Sequence, residues 1–397
     1  MDAGAGRVRI GLIAIGDAVD AAESATLAGR KLARHELDFA LALGCEKIIL
    51  HGNGASVDAI ELRHAAEARK AHFQVVRGVR DLPAAVRGDD QLLVLAHGLL
   101  PDSAVAFELL KEGFGVLVLP AEAGWSAGFE RLDMGAAWGG AMVIPGRLVA
   151  GLDLLPEDAE PIAALLRIAR QAGVPERALP ESELAEGRWQ IVRTAEAAQA
   201  NEPAWLRRRL PTVSIFQPTA WLARTLVQRF GATWLSKGKA ALVLPGAALA
   251  MLLAGVVAAW FDFPMLAFAA LVLASLSTEA GDAFSLLGRS IFTGKTKSSR
   301  ASLMLHLAWD LTLAGIGMLA IDGSHAHRLF APVVTAGLLH VPVLSREAGW
   351  RALAEDRGLL AAFFALASAL GYTEAGFMLL ALLLIGLRIA ARPGERS

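Results

Sequence analysis

The chain of 397 residues is too long for one ordinary hydrophobic core and points to at least two domains. Hydrophobic residues make up 55% of it and charged residues 19%, and a mean hydropathy of +0.47 is high for a wholly water-soluble protein, so part of the chain is expected in lipid. The net charge of -1 argues against wrapping nucleic acid, and the single cysteine, Cys45, excludes an internal disulfide framework and a Cys-rich metal centre.

Residues 2–9 are polar, and the apolar run behind them is strand-sized and interrupted by Gly16 and Asp17. That is not a signal-peptide pattern, so the first domain is expected to stay in the cytoplasm. Residues 7–15 read as a buried strand, 27–43 as a helix closed by Gly44, and 47–50 as the next strand. A charged helix over 59–72 precedes strands at 73–77, 91–96 and 116–120, and a further helix covers 159–172. Strands alternating with helices imply a parallel sheet with crossover helices, the Rossmann-like α/β class.

Arg207, Arg208 and Arg209 before Pro211 mark a linker. Residues 221–235 carry Trp221, Leu222, Leu226, Phe230 and Trp234 near helical spacing, with Arg224 and Arg229 between them. A solvated helix packed on the soluble domain would show such a pattern, but Trp and Arg are what a membrane edge selects, so an interfacial helix is expected. Apolar segments follow at 240–260, 264–278, 303–321, 329–344, 359–370 and 375–387. The last two fall short of the ~20 residues of a perpendicular crossing, and read as two tilted spans or one re-entrant pair. Counted as spans they make six, and the domains are expected at 1–203 (soluble α/β), 204–238 (linker and interfacial helix) and 239–397 (all-α transmembrane).

Charges orient these spans. Lys237, Lys239, Arg289, Lys295, Lys297, Arg300, Arg346, Arg351, Arg357, Arg388, Arg392 and Arg396 fall in alternate connections and at the end, whereas the opposite loops hold only Arg328. The positive-inside rule puts the basic loops and both termini in the cytoplasm. Within the spans, Glu279 and Asp282 share a face by their i, i+3 spacing, as do His306 and Asp310 at i, i+4. Three carboxylates and an imidazole on adjacent antiparallel spans suit a divalent-metal site, with phosphates received by Arg289, Lys295, Lys297 and Arg300 above it. The blander reading makes Glu279 and Asp282 snorkelling end residues, with His306 and Asp310 bonded to each other. Gly294-Lys295-Thr296 lacks a correctly spaced preceding glycine for a P-loop, and His325 with His327 is too small a set for a metal.

Glu279-x-x-Asp282-Ala283-x-x-Leu286-Leu287 followed by Ser302-x-x-x-His306-x-x-x-Asp310 resembles the D-x-x-D-G-x-x-A-R and G-x-x-x-D-x-x-x-D motifs of the CDP-alcohol phosphotransferase family. Glu279 stands for the first Asp, Ala283 for the Gly, Leu287 for the Arg and His306 for the third Asp. The resemblance implies six spans after an amphipathic helix, Mg²⁺ or Mn²⁺ held by Glu279, Asp282 and His306, and Asp310 as general base on the acceptor alcohol. Residues 27–50 and 90–102 resemble nucleotidyltransferases of the cytidylyltransferase type, with His97 at the position of a metal-binding Asp and Gly16-Asp17-Ala18-Val19-Asp20 where a basic glycine-rich phosphate loop belongs. That domain is expected to keep its fold and lose nucleotidyl transfer.

Together these resemblances imply transfer of a phospho-alcohol from a CDP-activated donor to an alcohol acceptor in polar-lipid or headgroup synthesis. The partners implied are the bilayer, both substrates and a second copy in a homodimer, with no nucleic acid. The alternative is a catalytically inactive paralogue serving as a membrane scaffold or regulatory subunit. A transporter is disfavoured, because no inverted repeat or broken-helix pair is evident. Reporter fusions after Arg300, Glu355 and Ser397 are expected to read cytoplasmic and one after Ser324 periplasmic; a periplasmic signal at Ser397 would rule out an even number of crossings.

Overall fold

A computed structural model of the chain describes residues 8–15, 25–210, 212–236, 240–287, 292, 300–340 and 348–390. Its contacts divide it into two units, residues 1–205 with 289–294, and residues 206–288 with 295–397.

The first unit runs β1 (Arg9–Ala14), β2 (Thr26–Leu27), β3 (Arg30–Lys31), α1 (Leu32–Ala42), β4 (Lys47–His51), α2 (Val57–Glu67), β5 (His72–Val76), α3 (Leu82–Ala85) and β6 (Gln91–Leu95). It continues through β7 (Leu99–Pro101), α4 (Ala104–Lys111), β8 (Gly115–Pro120), α5 (Ala121–Ser126), β9 (Ala136–Pro145), α6 (Pro161–Gln171), β10 (Glu176–Ala178), α7 (Ser182–Ala185), β11 (Trp189–Ile191) and α8 (Ala195–Arg209), whose residues from Leu206 on are counted with the second unit. Seven strands form one sheet in the order β10-β8-β9-β6-β1-β4-β5. β1, β4, β5 and β6 are parallel neighbours, as are β8 and β10.

Each central strand is buried on both faces, so it reads as an unbroken apolar run. Successive residues feed opposite layers: Ile13, Leu50 and Leu93 join Leu37, Phe39, Leu62 and Phe107 on one face. Leu12, Ile49 and Leu92 join Leu82, Val149 and Leu165 on the other. Phe292, which belongs to this unit, stacks on Phe107 with centroids 4.6 Å apart and stands edge-on to Phe39 at 5.1 Å.

Several features depart from the sequence reading: the charged helix expected over 59–72 runs over Val57–Glu67, and His72 already belongs to β5. The helix expected over 27–43 starts at Leu32, because Ala28 and Gly29 take positive φ (53° and 68°) and turn β2 back onto β3. β9 is an additional strand, antiparallel to β6 and β8, so the sheet is mostly rather than wholly parallel. Its Gly139-Gly140 pair hides it from propensity. Those glycines sit beside a register shift between Val116 and Val118, and Gly140 holds φ +76°. A bulge of that kind is where glycine belongs in a strand.

The second unit is helical: α9 (Pro218–Ser236), α10 (Ala240–Trp260), α11 (Pro264–Leu287), α12 (Arg300–Ala320), α13 (His325–His340), α14 (Ala348–Glu355), α15 (Arg357–Ala369) and α16 (Thr373–Ala390). α11 packs against α9, α10, α12 and α15, and α16 against α12, α13 and α15. Phe268, Phe364 and Phe377 stack at its centre, Phe364 and Phe377 with centroids 4.1 Å apart.

Among the described residues, three helices are long and apolar enough to cross a membrane, over Val243–Trp260, Pro264–Leu287 and Ala301–Ala320. A helix also occupies each of the other expected spans; α16 has 18 residues, while α13 and α15 are shorter. The 13 residues of α15 reach only about 20 Å at 1.5 Å each, against a hydrocarbon core of ~30 Å. α13 has 16 residues with Pro332 inside it.

One buried acid gives this fold a pH dependence. Glu36 on α1 is fully buried, and Leu99 N–H donates to its Oε1 at 3.1 Å. Burial pushes its carboxyl up to about 8, with the backbone amides of Gly98 and Leu99 opposing the shift. The folded chain keeps this proton at pH values where the unfolded chain has lost it. Stability therefore falls as pH rises from the ordinary carboxyl range near 4.5 towards about 8. Glu36→Gln keeps an acceptor for Leu99 N–H without the charge. It should flatten that decline, and unfolding curves of the two proteins measured from pH 5 to 8 test it; parallel curves would contradict the assignment.

Candidate functional site

Glu279 and Asp282 lie on α11, which runs on to Leu287 instead of ending near residue 278. The two acids are therefore within the helix body, not at its tip. Ser302, His306 and Asp310 repeat every four residues along α12 and line up on one face. The two faces meet. Ser302 Oγ donates to Asp282 Oδ2 at 2.8 Å, and His306 Nε2 lies 3.7 Å from the same oxygen. Glu279 is within electrostatic reach of His306, Asp282, Asp356 and Arg224.

Asp310 has a different partner. Arg357, the first residue of α15, grips it with both arms of its guanidinium: Nε donates to Oδ1 at 3.0 Å and Nη2 to Oδ2 at 2.9 Å. Asp310 is 2% exposed. Arg357 also lies over the ring of Trp309, 5.9 Å from its centroid, while the indole N–H of Trp309 donates to Leu271 O. A planar fork on a carboxylate is the strongest ordinary ion-pair geometry, and the aromatic face adds to it.

The start of α15 is pinned as well. Asp356 caps it, accepting from Leu359 N–H at 2.9 Å through Oδ1, and takes Thr219 N–H at 2.9 Å through Oδ2. That bond brings the start of α9 against Gly358, where a Cβ would come within 2.3 Å of Thr219 Oγ1. Between these elements lies a narrow polar crevice lined by Thr278, Glu279, His306, Trp309, Asp356 and Arg357 among others. The hydroxyls of Ser275 and Thr278 donate to carbonyls one turn back on their own helix, so the charged groups set its chemistry.

Of the expected metal set, the crevice gathers Glu279 and His306, with Asp282 attached through His306. Asp310 is turned to Arg357. Among the described residues no group of three or more His, Cys, Asp or Glu side chains is arranged to hold a metal ion. The donor chemistry agrees, because a carboxylate with both oxygens held by a guanidinium has little left for a cation, and imidazole is a poor ligand for Mg²⁺. Arg289, Lys295 and Lys297 lie outside the described residues, and Arg300 is described only as the first residue of α12.

In the α/β unit, His97 follows β6, and its Nδ1 donates to Ala14 O at the end of β1, 2.9 Å away. It borders an open pocket with Glu130, Trp138, Glu160 and Arg193. Residues 16–20, which carry the departure from a phosphate loop, lie outside the described residues. Comparison with known proteins finds no family model that matches the chain and no characterised protein similar to it.

The sequence reading counted Arg357 only as a loop cation. An Asp directly before an apolar run is a helix-start signal, and Asp356-Arg357-Gly358 carries it. The partnership with Asp310, 47 residues away, had no local signal. Breaking such a pair strands a buried charge, at ~3–5 kcal/mol, whereas replacing both members by apolar groups is often tolerated. Arg357→Met should therefore destabilise the detergent-solubilised protein strongly, and Asp310→Leu combined with Arg357→Met should recover much of the loss, as read by thermal unfolding through tryptophan fluorescence. A double variant no better than the single one would remove the ion pair from its central place.

Proposed function

We propose that the chain is a multi-pass membrane protein on the plan of the CDP-alcohol phosphotransferases that works without transferring phospho-alcohols, as a scaffold or regulatory subunit of polar-lipid or headgroup synthesis. The observation that carries this reading is the Arg357–Asp310 fork. A general base must keep an accessible lone pair for the proton it takes. Asp310 instead spends its oxygens on a cation that cannot be deprotonated and lies almost wholly buried. The pair thus offsets the charge of the carboxylate that the resemblance makes the general base. The α/β unit fits the same pattern, with His97 bonded to Ala14 O where a metal-binding acid would stand. In this reading the chain lies in the inner membrane with both termini cytoplasmic, and the six apolar helices make six crossings, the shorter ones tilted or joined as a re-entrant pair.

One observation favours an active transferase as the second reading. Glu279 and His306 face one crevice, with Asp282 3.7 Å from His306. The two readings separate in one assay. Purified protein offered a panel of CDP-alcohols with Mg²⁺ or Mn²⁺ should release no CMP, and His306→Asp, which rebuilds the family motif, should add no turnover. It should lower stability, because it sets a carboxylate one helical turn from Asp310 and close to Asp282. CMP release that depends on divalent metal and is lost in Asp310→Asn would establish the transferase instead.

A further inference from the structure

A second hollow lies on the other flank of α11. Leu226, Val227 and Phe230 of α9, Leu244 of α10, and Leu276, Ser277, Ala280 and Phe284 of α11 enclose about 530 Å³, mouth included. Its walls are almost entirely apolar. The one polar side chain, Ser277, spends its hydroxyl proton on Leu273 O within its own helix. Val227, Leu244 and Phe284 form a buried floor, while Leu226 and Phe230 are exposed at the rim. α10 and α11 are two of the three helices long enough to cross a membrane, so the medium beside this hollow is hydrocarbon on the reading above.

The neighbouring charge selects among occupants. Arg229 follows Leu226 by three residues on α9, which places it beside the rim on the same exposed side. An apolar slot with a cation at its edge matches a molecule that has a long hydrocarbon chain and an anionic head. A water-soluble ligand has nothing to bond inside. An apolar helix from another protein would set its own charge-free surface against Arg229.

We propose that this groove holds one acyl chain of a bilayer phospholipid whose phosphate is met by Arg229. The lipid would wedge between α9 and the α10–α11 pair and tie the amphipathic helix to the bundle. The inference rests on the membrane reading but not on the absence of catalysis.

The test uses the full-length protein in phosphatidylcholine vesicles containing phosphatidylglycerol with a photoreactive diazirine on one acyl chain. Adducts are mapped by mass spectrometry after digestion. Label is expected on the groove walls of α9 and α11 and, as bulk lipid contact, on the outward residues Leu307 and Leu311 of α12, which are 50% and 65% exposed. Ser277→Phe fills the slot from α11, and Leu226→Trp fills it from α9. Each should abolish the groove adducts and leave those on α12. Arg229→Gln should weaken groove labelling by the phosphatidylglycerol probe but not by a photoreactive long-chain alcohol. Groove label that survives both filling variants, or α12 label without groove label in the unaltered protein, would overturn the proposal alone. Loss of label from α12 as well would overturn the membrane reading and the proposal together.

Discussion

Asp310 sits on α12 at 2% exposure, and Arg357 at the head of α15 closes on it with two hydrogen bonds. A charge in that position is tolerable only with its counter-ion in place, since stripping water from a carboxylate costs several kcal/mol even after the protein relaxes. Once α15 must present Arg357 to α12, the residues around Arg357 have fixed work. Asp356 caps the helix and reaches Thr219 N–H, Gly358 leaves room for Thr219, and Trp309 offers its face to the guanidinium. Arg357, Asp356 and Gly358 also line the crevice between α9, α11, α12 and α15.

The same pairing governs the chemistry available. Four carboxylates (Glu279, Asp282, Asp310 and Asp356) surround the region, and each is offset differently. Asp310 has a guanidinium, Asp356 has two backbone amides, and Asp282 has a hydroxyl and a neighbouring imidazole. Glu279 lies in the field of His306 and Arg224. Side chains and backbone amides of the same unit thus offset these carboxylates. The alternating polar and apolar flanks of α11 then serve two purposes, a polar crevice on one side and a hydrocarbon slot on the other.

In the α/β unit the equivalent constraint is two-sided burial of the sheet. Leu12 and Ile13, Ile49 and Leu50, and Leu92 and Leu93 send alternate side chains to opposite helical layers. That demand constrains strand register, and Arg9 Nε donating to Gln91 Oε1 across the β1–β6 pair agrees with it. His97 lies beyond the last ladder residue of β6 and bonds to the end of β1, outside this two-sided packing.

The sequence by itself determined the division into an α/β part and an apolar helical part. It also determined five of the seven strands of the main sheet, most helix positions, and the shared faces of Glu279 with Asp282 and of His306 with Asp310. These follow from short unbroken apolar runs and from the 3.6-residue helical period, which are local properties. Three things were decided only in three dimensions. β9 runs antiparallel through the middle of the sheet, because its neighbours come from β6 and β8 and its glycines mask its strand character. α11 continues past Glu279 and Asp282 to Leu287, because packing on α9 and α15 extends a helix whose apolar run ends earlier. Asp310 turns to Arg357 rather than to His306 or a metal, because the partner of a buried charge is chosen by which cation the packed helices bring within 3 Å, and spacing along one helix carries no information about a residue on another.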